Sequence, residues 1–320
     1  QLVLSLALDR QGRLLCGHTP GARLSRFDGD RVECLIDEQF SNITIVEKSF
    51  GFIQTVAKIC VCKNGDTWFA VRSMDGAGRG VGLRREGVAL RWFNRQDGLP
   101  HDTVWDMVED RHGHMWFATS EGVACYDGVD FNCLDISDGL PSKFVRCICE
   151  DDRGHLWFGT DNGLAHYHDQ LLQVVCTQQI DQVYSLIQSR DGVLWMETRS
   201  GLVQYRPSTT PPLIDIIQVI TDRTYDTRGE VLVETTAAQV SFSYRGRSFG
   251  TDLSHMQYLY RLRGYQEQWQ AATRARQVHY HDLPPGDYLF EVKAIDRDLN
   301  QSAPTEQRLK ILPDPRDLKI

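Results

Sequence analysis

Histidine and cysteine pairs are the side chains of this sequence that could bind a metal ion. On a β-strand, residues two apart point to the same face, so such pairs could act together. Four pairs have this spacing: His112/His114, His166/His168, Cys60/Cys62 and Cys147/Cys149. Zinc knuckles with C-x-x-C spacing are absent, and no carboxylate converges on the histidines along the sequence. We therefore predict histidines in surface turns, cysteines buried as small apolar side chains, and neither a metal site nor a cofactor.

Catalytic signatures are missing from the sequence. It contains no G-x-S-x-G elbow, Walker A loop, H-E-x-x-H motif or dinucleotide-binding fingerprint. The glycine-rich stretch Asp75–Gly82 lacks the spacing of a phosphate-binding loop, and we interpret it as a connection between strands. The sequence therefore predicts no catalytic residues and a protein that is not an enzyme.

Composition limits the partners that this chain could have. Its 320 residues are enough for two domains, and 41% of them are hydrophobic, which is ordinary for a globular protein. The net charge of −8 argues against nucleic-acid binding, which requires a basic surface. The most apolar run, residues 213–220, is too short to span a bilayer, so we expect no membrane contact within this chain.

Internal repeats position all of these residues. Each complete copy has an Asp-x-x-Gly turn, a Trp-Phe strand, a Thr-x-x-Gly turn and a closing tyrosine, and the copies lie about 40–50 residues apart. Leu15 takes the tryptophan position in a degenerate first copy. The other copies are marked by Trp68, Trp116, Trp157 and Trp195, which we interpret as structural residues packed between blades. This period predicts an all-β chain with a β-propeller of about five four-stranded blades over residues 1–206. Both a closed five-bladed ring and part of a larger ring fit the repeats.

The repeated motifs resemble the two-component regulator propeller repeat. The likeness rests on the Asp-x-x-Gly, Trp-Phe, Thr-x-x-Gly and Tyr elements and on the preceding Gly-Leu-Pro, as in residues 98–100 and 139–141. It covers about residues 1–206 and implies the sensory part of a signal-transduction receptor.

A second domain is predicted after a proline-rich linker over residues 207–212. Residues 213–312 contain seven short segments of alternating hydrophobicity, which suit an immunoglobulin-like β-sandwich. Residues 313–320 form a tail. The stretch from Tyr258 to Ala294 is similar to the three-tyrosine (Y_Y_Y) domain, and its tyrosines would correspond to Tyr260, Tyr280 and Tyr288, which we interpret as structural.

Loops that connect strands two and three, or successive blades, are expected to carry any ligand site. A rigid scaffold that holds variable loops is a common arrangement for binding. On this face we expect nine candidate residues: Arg72, Asp75, His101, Asp102, Glu121, Lys143, Asp161, Asn162 and Arg199. The expected ligand is a small polar molecule, and the family resemblance implies oligosaccharides as one class.

Three functions remain open at the level of sequence. The first is a non-catalytic ligand sensor of a receptor, located in the periplasm or outside the cell by family resemblance and able to self-associate through the sandwich. The second is a soluble protein-interaction scaffold, which the nine cysteines favour because free thiols are typical of the cytoplasm. The third is a propeller lyase or hydrolase, which would need His, Tyr, Arg or carboxylates gathered around the centre of the ring.

Overall fold

The computed structural model describes residues 2–19, 23–29, 31–35, 54–73, 78–175, 180–227, 229–234 and 239–313. The chain divides into two compact units, Gln1–Arg206 and Pro207–Ile320. Apart from one short 3-10 helix at Arg95–Asp97, regular structure in the described residues consists of β-strands. They include no helix that is long and apolar enough to cross a membrane.

Unit one contains five antiparallel sheets in chain order, which are the predicted blades 1 to 5. Blades 1 to 4 have four strands and blade 5 has three. Blades 1 and 2 comprise β1 (Leu2–Leu8), β2 (Leu14–Thr19), β3 (Arg23–Phe27), β4 (Val32–Cys34), β5 (Gln54–Val61), β6 (Thr67–Ser73), β7 (Gly78–Arg84) and β8 (Arg91–Phe93). Blades 3 to 5 comprise β9 (Val104–Glu109), β10 (Met115–Thr119), β11 (Gly122–Tyr126), β12 (Phe131–Leu134), β13 (Val145–Glu150), β14 (Leu156–Thr160), β15 (Gly163–His168), β16 (Leu171–Val175), β17 (Val183–Gln188), β18 (Leu194–Thr198) and β19 (Gly201–Tyr205).

The aspartate of each Asp-x-x-Gly turn organises the hairpin between the first two strands. In blade 3, Asp110 Oδ1 accepts hydrogen bonds from the backbone N–H groups of His112 and His114, at 2.8 and 2.9 Å. Its Oδ2 accepts one from Trp116 Nε1 at 2.9 Å. Asp151 makes the same three bonds in blade 4. A buried carboxylate is stable only when it is bonded in this way, so the aspartate and the tryptophan act as one folding unit.

Replacing Asp110 by asparagine is expected to lower the free energy of unfolding by about 1–3 kcal/mol at neutral pH, because a charged acceptor of several hydrogen bonds is lost. Burial alone would raise the pKa of Asp110, but the bonds from Trp116 and His114 hold it below its ordinary value of 3.8. A carboxyl with a lowered folded-state pKa stabilises the protein above 3.8, and this contribution disappears as the pH falls through the folded-state pKa. Urea titrations from pH 7 to pH 3 measure the free energy of unfolding of the unmodified protein and of Asp110→Asn. The difference between these two free energies should decrease in acid. A constant difference would contradict this role.

The repeated tryptophans of blades 2 to 4 pack against the blade that follows, and the one in blade 5 is partly exposed. Trp116 of blade 3 lies against Phe158 and Tyr167 of blade 4, with ring centroids 5.9 and 5.3 Å apart. Trp68 and Trp157 are buried in the same way against the blades that follow them. Trp195 is 36% exposed, because no following blade covers it in the described part of the chain. Among the described residues, packing between blades is therefore seen for Trp68, Trp116 and Trp157 and not for Trp195.

A repeated side-chain clamp also joins blades. Glu109, Glu150 and Gln188 occupy the same position, at the end of the first strand of blades 3, 4 and 5. Each accepts a hydrogen bond from a backbone N–H in the turn between the first two strands of the preceding blade, and the donors are Lys63, Arg111 and Asp152 at 2.7–3.0 Å. Turn and strand thus stabilise each other across every one of these blade boundaries.

Unit two consists of two four-stranded sheets, as the sandwich prediction requires. The order is β21-β20-β23-β25 in one sheet and β22-β27-β26-β24 in the other, with β22 and β27 parallel. The strands are β20 (Leu213–Ile220), β21 (Thr224–Tyr225), β22 (Val231–Glu234), β23 (Gln239–Arg247), β24 (Gln257–Arg263), β25 (Gln277–His281), β26 (Gly286–Ile295) and β27 (Thr305–Leu312). Phe242 and Phe290 stack across its core with centroids 4.1 Å apart. The segment predicted as a linker begins bonded to this unit, since Ser208 N donates to Asp298 at 3.0 Å.

The three tyrosines of the second unit differ in how their hydroxyl groups are satisfied. Tyr288 and Tyr280 are buried, and Tyr260 is half-buried at the edge of the same core. Tyr288 Oη donates to the backbone carbonyl of Pro284 at 2.7 Å, which holds the Pro-Pro-Gly corner. Tyr280 Oη is buried without a hydrogen-bond partner among the described residues. Burial raises the pKa of Tyr280 above its ordinary value of 10. The hydroxyl of Tyr288 therefore reaches the backbone, and that of Tyr280 does not within the described part of the chain.

Because only the Tyr288 hydroxyl makes a hydrogen bond to a described residue, replacing each tyrosine by phenylalanine should have different effects at Tyr288 and Tyr280. Tyr288→Phe should lower the free energy of unfolding by about 1 kcal/mol, because it removes a made hydrogen bond and leaves the Pro284 carbonyl without its donor. Tyr280→Phe should be neutral or slightly stabilising, because it removes a buried unpaired hydroxyl. Chemical denaturation of both variants measures the contrast. Equal losses would mean that Tyr280 also makes a bond.

Candidate functional site

Residues from four blades meet where the first strands begin. The first strands of blades 2 to 5 contact one another in sequence order. At or just before the start of β9, β13 and β17 the chain places Trp105, Phe144, Arg146 and Tyr184, and Arg72 reaches them from β6. We call these five residues the arginine–aromatic cluster.

Arginine stacking holds the cluster together. The Arg146 guanidinium lies 4.6 Å from the ring centroid of Phe144, 5.4 Å from that of Tyr184 and 5.5 Å from that of Trp105. Arg72 lies 4.3 Å from the Trp105 centroid. These distances are within the range in which the negative face of an aromatic ring attracts a cation. Two cations and three rings thus form one continuous surface.

Polar partners fix the orientation of this surface. Asp161 forms an ion pair with Arg146, and the same Asp161 Oδ1 accepts a hydrogen bond from Gln182 Nε2 at 2.8 Å. The hydroxyl of Tyr184 donates to Gln182 Oε1 at 2.9 Å. Tyr184 is exposed, while Trp105 and Arg146 are half-buried. The cluster is therefore pre-organised and accessible to solvent.

Arg72 is the cluster's cation without a carboxylate partner among the described residues. It is half-buried beside Trp105, and burial lowers its pKa from the ordinary 12.5. Partial desolvation makes a charge at such a position interact more strongly with an incoming anion or hydroxyl dipole. Arg72 is thus the group here best suited to bind a ligand's acidic or polar substituent.

The remaining predicted site residues lie around the cluster in several roles. Glu121 and Lys143 form an exposed pair at 2.9 Å, and this contact lowers the pKa of Glu121. Three residues bond to nearby backbone and shape their loops: His101 Nδ1 accepts from Thr103 N, Asp102 Oδ1 accepts from Arg95 N, and Asn162 Nδ2 donates to Pro141 O. Arg199 is exposed, and its backbone N–H donates to Gln182. Asp75 lies outside the described residues. Of the nine candidates, Arg72 belongs to the cluster, and Asp161 forms an ion pair with the cluster residue Arg146.

Sequence reasoning missed Trp105, Phe144, Arg146 and Tyr184. The sequence does contain a signal for three of these residues. The position directly after the buried valine of each first strand varies between blades 2 to 5: it is Ala57, Trp105, Arg146 and Tyr184. Variation at one position of a repeat is typical of function, whereas packing favours repetition. The strand context hid it, since these residues lie on strands and not in the loops.

A second polar group in blade 4 corrects the prediction for the histidines. His112 is exposed and His114 is half-buried in their turn. His166 is 0% exposed and stacks on Trp157 with centroids 3.7 Å apart and the planes 7° from parallel. His155 Nδ1 lies 2.8 Å from His166 Nε2, and the His155 ring is 4.1 Å from that of His168. Burial lowers the pKa of His155 to about 4, with smaller contributions from His168 and Arg153. Blade 4 thus buries a histidine group that the sequence placed at the surface.

Two family models match this chain. Residues 98–121 and 139–162 match the two component regulator propeller, and residues 250–312 match the Y_Y_Y domain. Among curated proteins, no sequence is significantly similar to this chain. The chain therefore contains two-component regulator propeller repeats followed by a Y_Y_Y domain, which confirms the resemblance seen in the motifs.

Similar solved structures include three that cover most of this chain. The extracellular domain of a protein assigned as a hybrid two-component system from B. thetaiotaomicron is 18% identical, with a TM-score of 0.45, and is matched over 98% of this chain and 56% of its own. PorZ, a surface component of the type-IX secretion system of Porphyromonas gingivalis, is 14% identical over 96% and 44%, with a TM-score of 0.49. Virginiamycin B lyase from Staphylococcus aureus is 11% identical over 96% and 94%, with a TM-score of 0.47. The chain thus spans only about half the length of the first two.

Proposed function

We propose that this chain is the ligand-sensing region of an extracytoplasmic signal-transduction receptor, and that it binds a small polar molecule at the arginine–aromatic cluster. The observation that carries the proposal is Arg146, which stacks on rings contributed by three successive blades while its charge is paired with Asp161. A ligand that touches this group contacts several blades at once. The family match supports the receptor context, because residues 98–121 and 139–162 match the two component regulator propeller.

The chemistry of the cluster favours a saccharide with an acidic or strongly polar substituent. Exposed ring faces such as that of Tyr184 can stack on the C–H face of a sugar, while Gln182 and Asp161 offer hydrogen bonds to hydroxyl groups. Arg72 can pair with a carboxylate, since no described acidic side chain neutralises it. We therefore place acidic oligosaccharides first among candidate ligands and neutral ones second.

The binding test uses the full chain and a panel of acidic and neutral oligosaccharides. Thermal shift identifies ligands, because binding to the native state alone raises the unfolding temperature with ligand concentration. Calorimetry then compares variants: Trp105→Ala should weaken binding about thirtyfold, the effect of truncating a central aromatic contact worth about 2 kcal/mol. Lys143→Ala, in the exposed pair beside the cluster, is the matched control and should change affinity less than about twofold.

Two outcomes would contradict the proposal. If Lys143→Ala and Arg199→Ala abolish binding while Trp105→Ala does not, the loop tips bind the ligand and the cluster is only structural. If the ligand instead binds to the sandwich, where Arg263, Glu267 and Arg308 line an open pocket, the sensing site lies in the second unit.

A propeller lyase or hydrolase is the second candidate, because the cluster and its partner Asp161 together supply the Arg, Tyr and carboxylate types that such an enzyme would use. The contacts favour binding over catalysis: Asp161 Oδ1 is already bonded to Arg146 and Gln182, and the Tyr184 hydroxyl donates to Gln182 and not to a base. Mass spectrometry of each ligand after overnight incubation distinguishes the two. Any shortened or unsaturated product that disappears in Tyr184→Phe would establish an enzyme.

Self-association through the sandwich is proposed as the output step. Non-covalent binding must act through geometry or association, and the second unit exposes apolar side chains, with Phe249 fully exposed and Ile217 half-exposed. We expect the chain to be largely monomeric at micromolar concentration, with a ligand-dependent dimer fraction that Phe249→Ser reduces. Val129→Ser, at another exposed apolar site in the propeller, should have no effect. Sedimentation velocity measures this, and a ligand-independent dimer that survives Phe249→Ser would exclude it.

A further inference from the structure

We propose that Asp151, His155 and His166 form a binding site for one divalent transition-metal ion of the zinc class in blade 4. One carboxylate oxygen and two imidazole nitrogens, one atom from each residue, all lie within 4.8 Å of one another. His155 Nδ1 is 2.8 Å from His166 Nε2 and 4.0 Å from Asp151 Oδ2. Carboxylate and imidazole are the ligands that zinc takes together in open sites.

The repeat itself brings the three residues together. Asp151 is held in the Asp-x-x-Gly turn because its Oδ1 accepts hydrogen bonds from the backbone N–H groups of Arg153 and His155, and its Oδ2 accepts one from Trp157 Nε1 at 3.0 Å. Trp157 pairs with His166 across β14 and β15, and the imidazole lies flat against the indole. Both elements are rigid and buried, so the donor atoms are positioned before any ion arrives, as a tight site requires.

The distances between the donor atoms lie on either side of the distance expected between ligand atoms around a bound zinc ion. Bonds of about 2.0–2.2 Å from zinc to nitrogen and oxygen put neighbouring ligand atoms about 3.3 Å apart in a tetrahedron. The histidine nitrogens are closer than this and the carboxylate is farther away. To bind an ion here, the two imidazole nitrogens would move slightly apart and the carboxylate would move closer to them. The buried Asp151 charge then offsets part of the ion's own charge, and the fourth position is open to water.

Blade 3 provides a natural comparison within the same chain. It has the same aspartate and turn histidine, with His114 Nδ1 3.3 Å from Asp110 Oδ2. At the position of His166 it has Cys125, and in blade 5 the same position is Gln204. The second imidazole therefore distinguishes blade 4 from the described blades beside it.

The test measures Zn²⁺ and Co²⁺ binding to the full chain. We expect one saturable ion per chain, a rise in unfolding temperature with free Zn²⁺, and Co²⁺ absorption bands of a four-coordinate site without thiolate charge transfer. His155→Gln should weaken the affinity at least about tenfold, since even changes to groups behind a ligand cost about 10–100-fold. His114→Gln, the blade 3 counterpart, should bind within about twofold of the unmodified protein.

Several results would overturn the site. These are the absence of saturable binding, an equal loss in His114→Gln, full affinity in His155→Gln, and a thiolate-to-cobalt band that would assign the ion to cysteines. Because a ligand substitution could disturb folding, circular dichroism and unfolding of His155→Gln without metal accompany the titration. If that variant does not fold, X-ray absorption of the Zn²⁺-loaded protein decides: two imidazoles and oxygen support the site, and any sulfur or a single imidazole rejects it.

Discussion

Trp157→Ala is expected to lower the free energy of unfolding by about 3–5 kcal/mol, the usual loss when a large buried aromatic side chain is removed. Trp157 is 0% exposed, its indole stacks on His166, and its Nε1 donates to Asp151 at 3.0 Å. The substitution therefore opens a cavity and also leaves a buried carboxylate without one of its donors. Denaturant titration of the purified variant measures the loss.

Trp195→Ala is the matched control for this prediction, because Trp195 occupies the same repeat position. It is 36% exposed, and Ser189 replaces the aspartate that would accept its indole N–H. We expect a loss of about 1 kcal/mol, near the centre of the range for ordinary substitutions. Similar losses in the two variants would show that burial between blades is not what makes the repeated tryptophan important.

Gly159→Ala is expected to destabilise the protein by about 1–3 kcal/mol through overpacking. A Cβ at Gly159 would overlap Cys147 Sγ and lie 2.7 Å from Val183 Cγ1, which belongs to the next blade. These neighbours are buried on two different first strands, so neither can move without disturbing the contact between blades 4 and 5. Thermal and chemical unfolding both report the change.

Two controls separate overpacking from a general effect at this position. Blade 3 has Ala118 where blade 4 has Gly159, so Ala118→Gly should change stability by no more than about 1 kcal/mol, the cost of one glycine in a strand. Cys147→Ala removes the overlapping sulfur and should recover part of the loss when combined with Gly159→Ala, as contacting residues couple. Strict additivity of the two substitutions would contradict the steric explanation.

Strand order and blade boundaries followed from the repeat because the same local cues recur at every turn. The Asp110 and Asp151 turns form identical hydrogen bonds, and the positive backbone angles of Gly113 and Gly154 fit the same turn type. In the second unit, the strands of both sheets lie within residues 213–312, the range predicted for the sandwich. These features depend on neighbours that are close in sequence, so a single sequence is sufficient to predict them.

The two candidate sites could not be predicted from the sequence. Arg146 meets Trp105 and Tyr184 only because the first strands of three blades lie side by side, and nothing in the spacing along the chain indicates that contact. The prediction for the histidines was wrong for a related reason. Residue 155 directly precedes β14 and residue 166 lies on the partner strand β15, but the burial of His166 depends on its stacking against Trp157.

By itself, the sequence determined that this chain forms propeller blades and a sandwich, since hydrophobic period, turn residues and repeated tryptophans are local properties. Only the tertiary structure decided which equivalent positions are buried and which are accessible. Trp157 and Trp195 share one motif yet differ in burial, because a side chain on a blade is covered only by the blade beside it. For the same physical reason, an alanine is accommodated in blade 3 where blade 4 requires glycine, and Tyr184 faces solvent where the equivalent Arg146 is paired.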